Sequence, residues 1–175
     1  MANILIVYST TDGHTLRICN FLQRVIESNA HRVSLVSVAD PLPGDLQRFD
    51  TIVVGASIRY GKHSRQIYDF IKNHRDLLES KANAFFSVNI VARKPEKNQP
   101  ETSPYLMRFL KQIAWRPQLL GVFAGKLDYP SYGFFDREMI RFIMWMTKGP
   151  TDPATVIEFT DWQSVEAFGQ RVSKL

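Results

Sequence analysis

The sequence has one cysteine among 175 residues and no long apolar run, and both shortages limit what the protein can be. The lone thiol, Cys19, excludes a disulfide framework and favours a reducing compartment, so we expect a buried packing residue of the first helix. No apolar run reaches the roughly 18 residues expected of a membrane span. Because Met1 is followed almost at once by an apolar strand and not by a basic leader, the sequence predicts a cytoplasmic protein.

Several common binding motifs are also missing. Neither Gly-x-x-x-x-Gly-Lys-Ser/Thr nor Gly-x-Gly-x-x-Gly occurs, which argues against a P-loop NTPase and a Rossmann dinucleotide enzyme. The four histidines lack the spacing of metal ligands, and the basic residues do not form a recognised nucleic-acid motif. We therefore expect no metal site and no nucleic-acid partner.

Positive charge is concentrated in one part of the chain. The formal net charge is +5, and 10 of the 22 Lys and Arg but only 5 of the 17 Asp and Glu lie in residues 93–148. The rest of the chain carries twelve of each sign and is neutral. An anionic partner is therefore expected to meet residues 93–148.

Apolar runs alternate with helical patterns along the chain. Strands are predicted at residues 4–8, 32–38, 51–56, 84–92 and 118–125, and helices at 14–28, 64–78, 105–114 and 161–174. Such alternation predicts one α/β domain over residues 1–175, built on a doubly wound, five-stranded parallel sheet. The segment at about 126–152 is far longer than an ordinary loop and is predicted to be a helical insertion that follows the start of the fifth strand.

The first strand leads into a hydroxyl-rich turn at the start of the first helix. A glycine in this turn allows close approach of a ligand to the positive end of the helix dipole. The turn consists of Ser9, Thr10, Thr11, Asp12, Gly13, His14 and Thr15. It predicts a phosphate site, with an ordinary capped turn as the alternative. Because a carboxylate repels phosphate, Asp12 is expected to point away and cap the helix.

Two further segments follow the third and fourth strands and are expected beside this turn, at the carboxyl edge of the sheet. The loop after the third strand includes Ser57, Ile58, Arg59, Tyr60 and Gly61, and the end of the fourth strand comprises Ser87, Val88, Asn89, Ile90, Val91 and Ala92. Tyr60 could stack on a flat ring, and the Asn89 amide suits the edge of a heterocycle. The alternative for the first segment is a solvated connector.

The insertion contains a predicted amphipathic helix at residues 134–146. Arg137, Arg141 and Lys148 fall on one stripe, while Trp145 and other apolar residues cover much of the remaining surface. The helix is too short to span a bilayer but could lie in its interface, with the basic residues at the headgroups. An additional core helix and a contact within a homo-oligomer are the alternatives.

Several segments carry a family resemblance. Ser9-Thr-Thr-Asp-Gly-His-Thr15 resembles the flavodoxin phosphate loop. Four further segments are distinctive, namely Gly55-Ala-Ser-Ile-Arg-Tyr-Gly61, Ser87-Val-Asn-Ile-Val-Ala-Arg-Lys-Pro-Glu-Lys97, Trp115-Arg-Pro117 and Thr160-Asp-Trp162. With these segments, the whole chain is similar to the flavodoxin-like, quinone-dependent protoporphyrinogen IX oxidases.

The resemblance implies bound FMN, hydride removal from protoporphyrinogen IX, and electron delivery to menaquinone or ubiquinone at the cytoplasmic face of the inner membrane. Arg59, Arg93 and Lys94 are candidates for the substrate propionates, because guanidinium and ammonium groups match carboxylates. No catalytic acid or base is assigned. A flavodoxin-type electron carrier and an NAD(P)H:quinone reductase are the alternative functions.

Overall fold

The computed structural model describes residues 1–175, arranged around a parallel sheet of strand order β2-β1-β3-β5-β6. The strands are β1 (Asn3–Ser9), β2 (Arg32–Ser37), β3 (Thr51–Arg59), β4 (Lys62–His63), β5 (Ala82–Asn89), β6 (Leu119–Ala124), β7 (Lys126–Asp128) and β8 (Val156–Glu158). The helices are α1 (His14–Glu27), α2 (Arg65–Asn73), α3 (Arg75–Ser80), α4 (Pro104–Gln112), α5 (Phe134–Met146) and α6 (Trp162–Val172). The predicted doubly wound sheet of five parallel strands is confirmed.

Both faces of the sheet are covered, because successive side chains of a strand point to opposite sides. Leu5 and Val7 of β1 belong to an 18-residue buried cluster, which also contains side chains of α2 and α4. Ile4 and Ile6 belong to a 15-residue cluster on the opposite face, with side chains of α1 and α6. Burial of each large aliphatic side chain contributes about 1.5–3 kcal/mol. These two clusters hold the strand ends in place at one edge of the sheet.

Short polar side chains set several helix starts. Ser64 Oγ accepts a hydrogen bond from the Gln66 amide at the start of α2. Asp161 accepts from the amides of Gln163 and Ser164 at the start of α6. Such caps satisfy amides that have no partner in the first helical turn. They explain why α2 and α6 each start within one residue of the position expected from the sequence.

The loop predicted after the third strand is instead a β-hairpin. β3 continues to Arg59 and pairs with the antiparallel strand β4, with Arg59 opposite Lys62. The two turn residues, Tyr60 and Gly61, have φ angles of 51° and 77°. Positive φ at both positions is typical of the two-residue turns that match strand twist. The strand predicted to end at Ala56 continues to Arg59 because its end pairs with β4.

Two other boundaries differ from the sequence prediction. The strand predicted to reach Ala92 ends at Asn89, whose side-chain oxygen accepts from the Ala92 amide at 2.9 Å and starts a 3-10 turn. The helix predicted over residues 64–78 is divided at His74 into α2 and α3.

The insertion forms a small unit whose two ends lie next to each other, beside the end of β6. β7 and β8 pair in antiparallel fashion, and the Phe159 amide donates to the Gly125 carbonyl at 3.0 Å. Its own buried cluster consists of Leu127, Tyr129 and Met144. Neither α5 nor any other helix has both the length and the apolarity that crossing a membrane requires.

Candidate functional site

A cleft of about 800 Å³, part of it open to solvent, lies beyond the carboxyl ends of β1, β3 and β5. This is where ligands bind in doubly wound sheets. The cleft lining includes most of the predicted cofactor residues, namely Thr10, Thr11, Asp12, His14, Thr15, Ser57, Ile58, Arg59, Tyr60, Gly61, Val88, Asn89 and Ile90. The three predicted segments therefore meet in one place.

Three polar atoms around the cleft are buried and have no hydrogen-bond partner. They are Ser9 Oγ, Thr15 Oγ1 and Asn89 Nδ2. An unsatisfied buried polar group costs about 1–3 kcal/mol, so such groups mark a place where a polar ligand restores the lost bonds. Gly13 precedes α1 with φ of 82°, which directs the chain into the first helical turn. The hydroxyls and the helix start together fit a phosphate group.

Asp12 does not cap α1, contrary to the sequence prediction. Gly13 occupies the cap position without a side-chain hydrogen bond, and the Asp12 carboxylate accepts from the Arg59 guanidinium at 2.6 Å. The hairpin brings Arg59 across the cleft, and a charge-assisted bond is roughly twice as strong as a neutral one. Arg59 also lies 5.5 Å from the centre of the Tyr132 ring. One nitrogen of its guanidinium is thus engaged by Asp12, and contact of Arg59 with a substrate propionate stays a prediction.

Arg93 and Lys94, the other predicted substrate contacts, do not line the cleft. Arg93 donates to the Ile90 carbonyl and, at 3.0 Å, to both the carbonyl and hydroxyl oxygens of Thr147. Burial lowers the pKa of the Arg93 guanidinium. This arginine fastens the end of α5 to the turn after β5, and its contact with a substrate propionate stays a prediction.

Five predicted cofactor residues are not part of the cleft lining. Gly13 is exposed, and the other four are buried, namely Ser9, Ser87, Val91 and Ala92. Ser87 Oγ is 2.9 Å from His63 Nε2 in a fully buried contact. Burial lowers the pKa of His63 to about 3, so this imidazole is neutral at physiological pH. The pair is a structural contact below the cleft floor.

His14 is held in one tautomer. Its Nε2 is 2.6 Å from Thr160 Oγ1, and the Thr160 hydroxyl donates to the Ala124 carbonyl at 2.7 Å. Because a hydroxyl has one proton, His14 Nε2 must be the donor to Thr160. Burial lowers the pKa of His14, which keeps the ring neutral. His14 therefore joins the start of α1 to the segment before α6.

Sequence reasoning did not find the remaining cleft residues. Tyr105 comes from α4, and the others belong to the insertion and its entry, namely Gly125, Lys126, Leu127, Tyr132, Ile140 and Ile143. Apart from Lys126, they add an apolar and aromatic wall to the cleft, in addition to the polar phosphate loop. The sequence signals for this wall were the unusual length of the segment and the apolar residues of the helix predicted at 134–146.

Known proteins with similar sequences and folds support a flavin site. The model of the Flavodoxin domain matches residues 5–154. The structures of Megasphaera elsdenii flavodoxin (TM-score 0.58, 13% identity, 98% of this chain and 99% of that chain) and Bacillus cereus Flavodoxin 1 (TM-score 0.53, 14% identity, 99% and 98%) have the same fold. These comparisons indicate a flavin cofactor, for which the unpartnered polar groups in the cleft are suited.

Two relatives are more similar in sequence than these flavodoxins. Protoporphyrinogen IX dehydrogenase [quinone] from Leishmania major is 43% identical over 172 residues, covering 98% of this chain and 74% of the relative. The Escherichia coli K12 protein of the same name is 39% identical over 171 residues, covering 98% and 94%. The chain therefore belongs to the flavodoxin-domain family, in the group that contains the quinone-dependent protoporphyrinogen IX dehydrogenases.

Proposed function

We propose that the protein uses FMN to oxidise protoporphyrinogen IX to protoporphyrin IX and passes the electrons to menaquinone or ubiquinone. The observation that carries this proposal is the composition of the cleft. The cleft combines an anion-binding loop and unpartnered polar groups with an apolar wall. The near full-length similarity to enzymes of that name supports the same activity.

The residues of the cleft divide into two functional sets. Ser9, Thr15 and the amides at the start of α1 would hold the FMN phosphate, and Asn89 Nδ2 would donate to the ring system. The chemistry that FMN supplies when bound is acceptance of a hydride from a carbon–hydrogen bond and delivery of electrons to a quinone. Ile140 and Ile143 would exclude water from the reacting face and contact the macrocycle.

The protein side of this reaction is orientation more than acid–base chemistry. His14 is neutral, and its Nε2 proton is committed to Thr160. His63 is buried in a contact with Ser87. Neither imidazole is arranged to shuttle protons, and removal of a carbon-bound hydride does not need a strong acid from the protein.

The function is tested by purifying the protein, recording its visible spectrum and adding protoporphyrinogen IX anaerobically. We expect one FMN per chain, bleaching of the flavin by this substrate, and fluorescent porphyrin in amounts that rise when menaquinone is supplied. Rapid bleaching by NADPH with none by protoporphyrinogen would favour the NAD(P)H:quinone reductase instead. Bleaching by neither, with a dithionite-reduced flavin that a redox-protein partner reoxidises, would favour the electron carrier.

We also propose that α5 docks on the cytoplasmic face of the inner membrane, where both apolar reactants partition. Only Met144 of this helix is buried, so it is not the additional core helix that was one alternative. Its outer face exposes Phe134, Phe135, Met139, Phe142, Trp145 and Met146, with Phe135 85% and Trp145 69% exposed. Arg137, Arg141 and Lys148 flank this face, although the first two share the Glu138 carboxylate. Aromatic residues beside cations fit an anionic lipid surface.

A Phe135→Ser, Phe142→Ser, Trp145→Ser variant should keep its FMN and thermal stability but fail to float with anionic liposomes. Each aromatic side chain that enters the acyl boundary contributes about 1.5–3 kcal/mol, whereas exposed positions change stability by only about 0.5 kcal/mol. Unchanged flotation would contradict membrane docking by α5. A dimeric parent converted to a monomer by the same changes would identify the face as a subunit contact.

The basic flank should give a smaller, salt-dependent effect. A triple variant should release from anionic liposomes at lower salt than the parent; its changes are Arg137→Gln, Arg141→Gln and Lys148→Gln. Each charge near such a surface contributes about 1 kcal/mol. For Arg137 and Arg141 this figure leaves out the contact with Glu138. A matched control removes three charges from α2 and α3 with Arg65→Gln, Lys72→Gln, Arg75→Gln. Equal release by both triple variants would rule out a specific role for the flank.

A further inference from the structure

Asp12 places a negative charge inside a loop that otherwise suits an anion. It lines the same cleft as Thr10, Thr11 and Thr15. A phosphate held by this loop would meet a like charge only a few residues away, and like charges in a partly buried site weaken binding. The loop therefore needs a compensating positive charge if it is to hold a phosphate well.

Arg59 supplies that charge from a distant part of the chain. One guanidinium nitrogen lies 2.6 and 2.5 Å from the two carboxylate oxygens of Asp12, 47 residues away in sequence. The Arg59 side chain is only 19% exposed, compared with 44% for Asp12, so solvent screens the arginine poorly. Lys126 pairs with Asp128 and Arg17 with Glu158, while Lys62, opposite Arg59 in the hairpin, forms no ion pair with Asp12 or any other carboxylate. Arg59 is thus the partner that cancels the charge of Asp12.

The position of Arg59 is determined by its surroundings. It occupies the last residue of β3, where the hairpin pairs it with Lys62, so its backbone is fixed by the sheet. The guanidinium lies 5.5 Å from the centre of the Tyr132 ring and 6.0 Å from that of Tyr60. Contacts of this kind stabilise a cation over an aromatic face. The charge is therefore preorganised at the cleft instead of being delivered by a mobile side chain.

We propose that Arg59 determines the selectivity for a phosphorylated flavin by neutralising Asp12. This inference rests on the proposed FMN site and goes beyond it by assigning the charge balance of the phosphate loop to one ion pair. Arg59 acts as a positioning and charge-setting residue. Replacement of Arg59 leaves the charge of Asp12 uncompensated beside the phosphate and weakens FMN binding. The affinity for a flavin without phosphate does not depend on that charge.

The experiment compares FMN with riboflavin as ligands of the apoprotein, using quenching of flavin fluorescence. Arg59→Gln should weaken FMN binding tenfold or more, which corresponds to about 1.4 kcal/mol, and change riboflavin binding less than threefold. Asp12→Asn added to Arg59→Gln should return FMN affinity to within threefold of the parent. The FMN deficit of the single variant should shrink as salt screens the carboxylate. Arg75→Gln, which breaks the surface pair with Glu79, is the control for net charge.

Equal weakening of both flavins by Arg59→Gln, with no recovery in the double variant, would overturn the proposal and assign Arg59 to the shape of the hairpin. If Arg59→Gln does not fold, Asp12→Ser tests the same charge, and a fall in the preference for FMN over riboflavin would overturn it. A parent that binds riboflavin and FMN equally refutes the phosphate site itself. A parent that binds neither flavin refutes the proposed cofactor, which is a different failure.

Discussion

A protein that lacks residues 126–158, with Gly125 joined to Phe159 by two glycines, should fold and bind FMN but oxidise protoporphyrinogen at least a hundredfold more slowly. The Phe159 amide already contacts the Gly125 carbonyl, so the cut ends are adjacent. The two large buried clusters contain no residue of the removed segment. The deletion does remove Leu127, Tyr132, Ile140 and Ile143, and with them the apolar wall of the cleft. Steady-state porphyrin fluorescence and thermal melting would measure the two outcomes.

The deletion also separates two roles of the insertion. If the shortened protein oxidised the substrate with quinone at the parent rate, the wall would have no part in the reaction. Met144→Ala is a milder companion variant, since it opens a cavity only in the cluster of Leu127, Tyr129 and Met144. A cavity of this kind costs about 2–5 kcal/mol, which should loosen α5 and reduce activity without affecting the sheet.

Gly13→Val should cause the protein to lose its flavin during gel filtration. Gly13 has φ of 82°, a left-handed conformation that costs an L-residue about 1–2 kcal/mol and a β-branched residue more. A Cβ atom there meets no protein atom within 4 Å, so the expected cause is strain of the phosphate loop and not a clash of the Cβ with the protein. The loop can relieve this strain only by moving its amides away from the anion site. We expect FMN affinity to fall at least tenfold.

Two controls separate strain from bulk. Gly13→Asn introduces a side chain of similar size, but asparagine tolerates the left-handed region and should keep more of the flavin. Gly44→Val adds the same valine in a loop where the structure also leaves open space and φ is not positive, so binding should be unchanged. Equal flavin content in the Gly13→Val variant and the parent would contradict the assignment of the phosphate site to this loop.

Patterns that depend on burial predicted most of the fold. The apolar runs of β1, β3 and β5 are covered on both faces, and such runs are visible in the sequence as unbroken stretches. The ends of β3 and β5 were not predictable in this way. Ser57 and Arg59 are polar, and they are extended because β5 and β4 pair with them. The end of β5 depends on a single side-chain contact from Asn89 to the Ala92 amide.

The sequence predicted the backbone position of the site, because that position depends on the order of the strands. Topology brings the ends of β1, β3 and β5 together, so the three segments could be grouped without a structure. The contacts of individual side chains could not be predicted in this way. Local preference favoured Asp12 as a helix cap, but a cation 47 residues away formed the stronger contact. Arg93 has the right chemistry for a carboxylate, yet its position directs it to Thr147.

The two ends of the insertion lie next to each other, and this lowers the conformational entropy cost of the long connection between β6 and α6. A flexible segment of this length between β6 and α6 would make docking of α6 less favourable by about 0.6 kcal/mol for each doubling of loop length. The ladder of β7 and β8 and the bond from Phe159 to Gly125 close the segment at its base. Helix α6 is therefore connected to the sheet as if by a short loop. A segment tethered in this way can change greatly in sequence and length while the sheet beneath it keeps nearly the same free energy of folding.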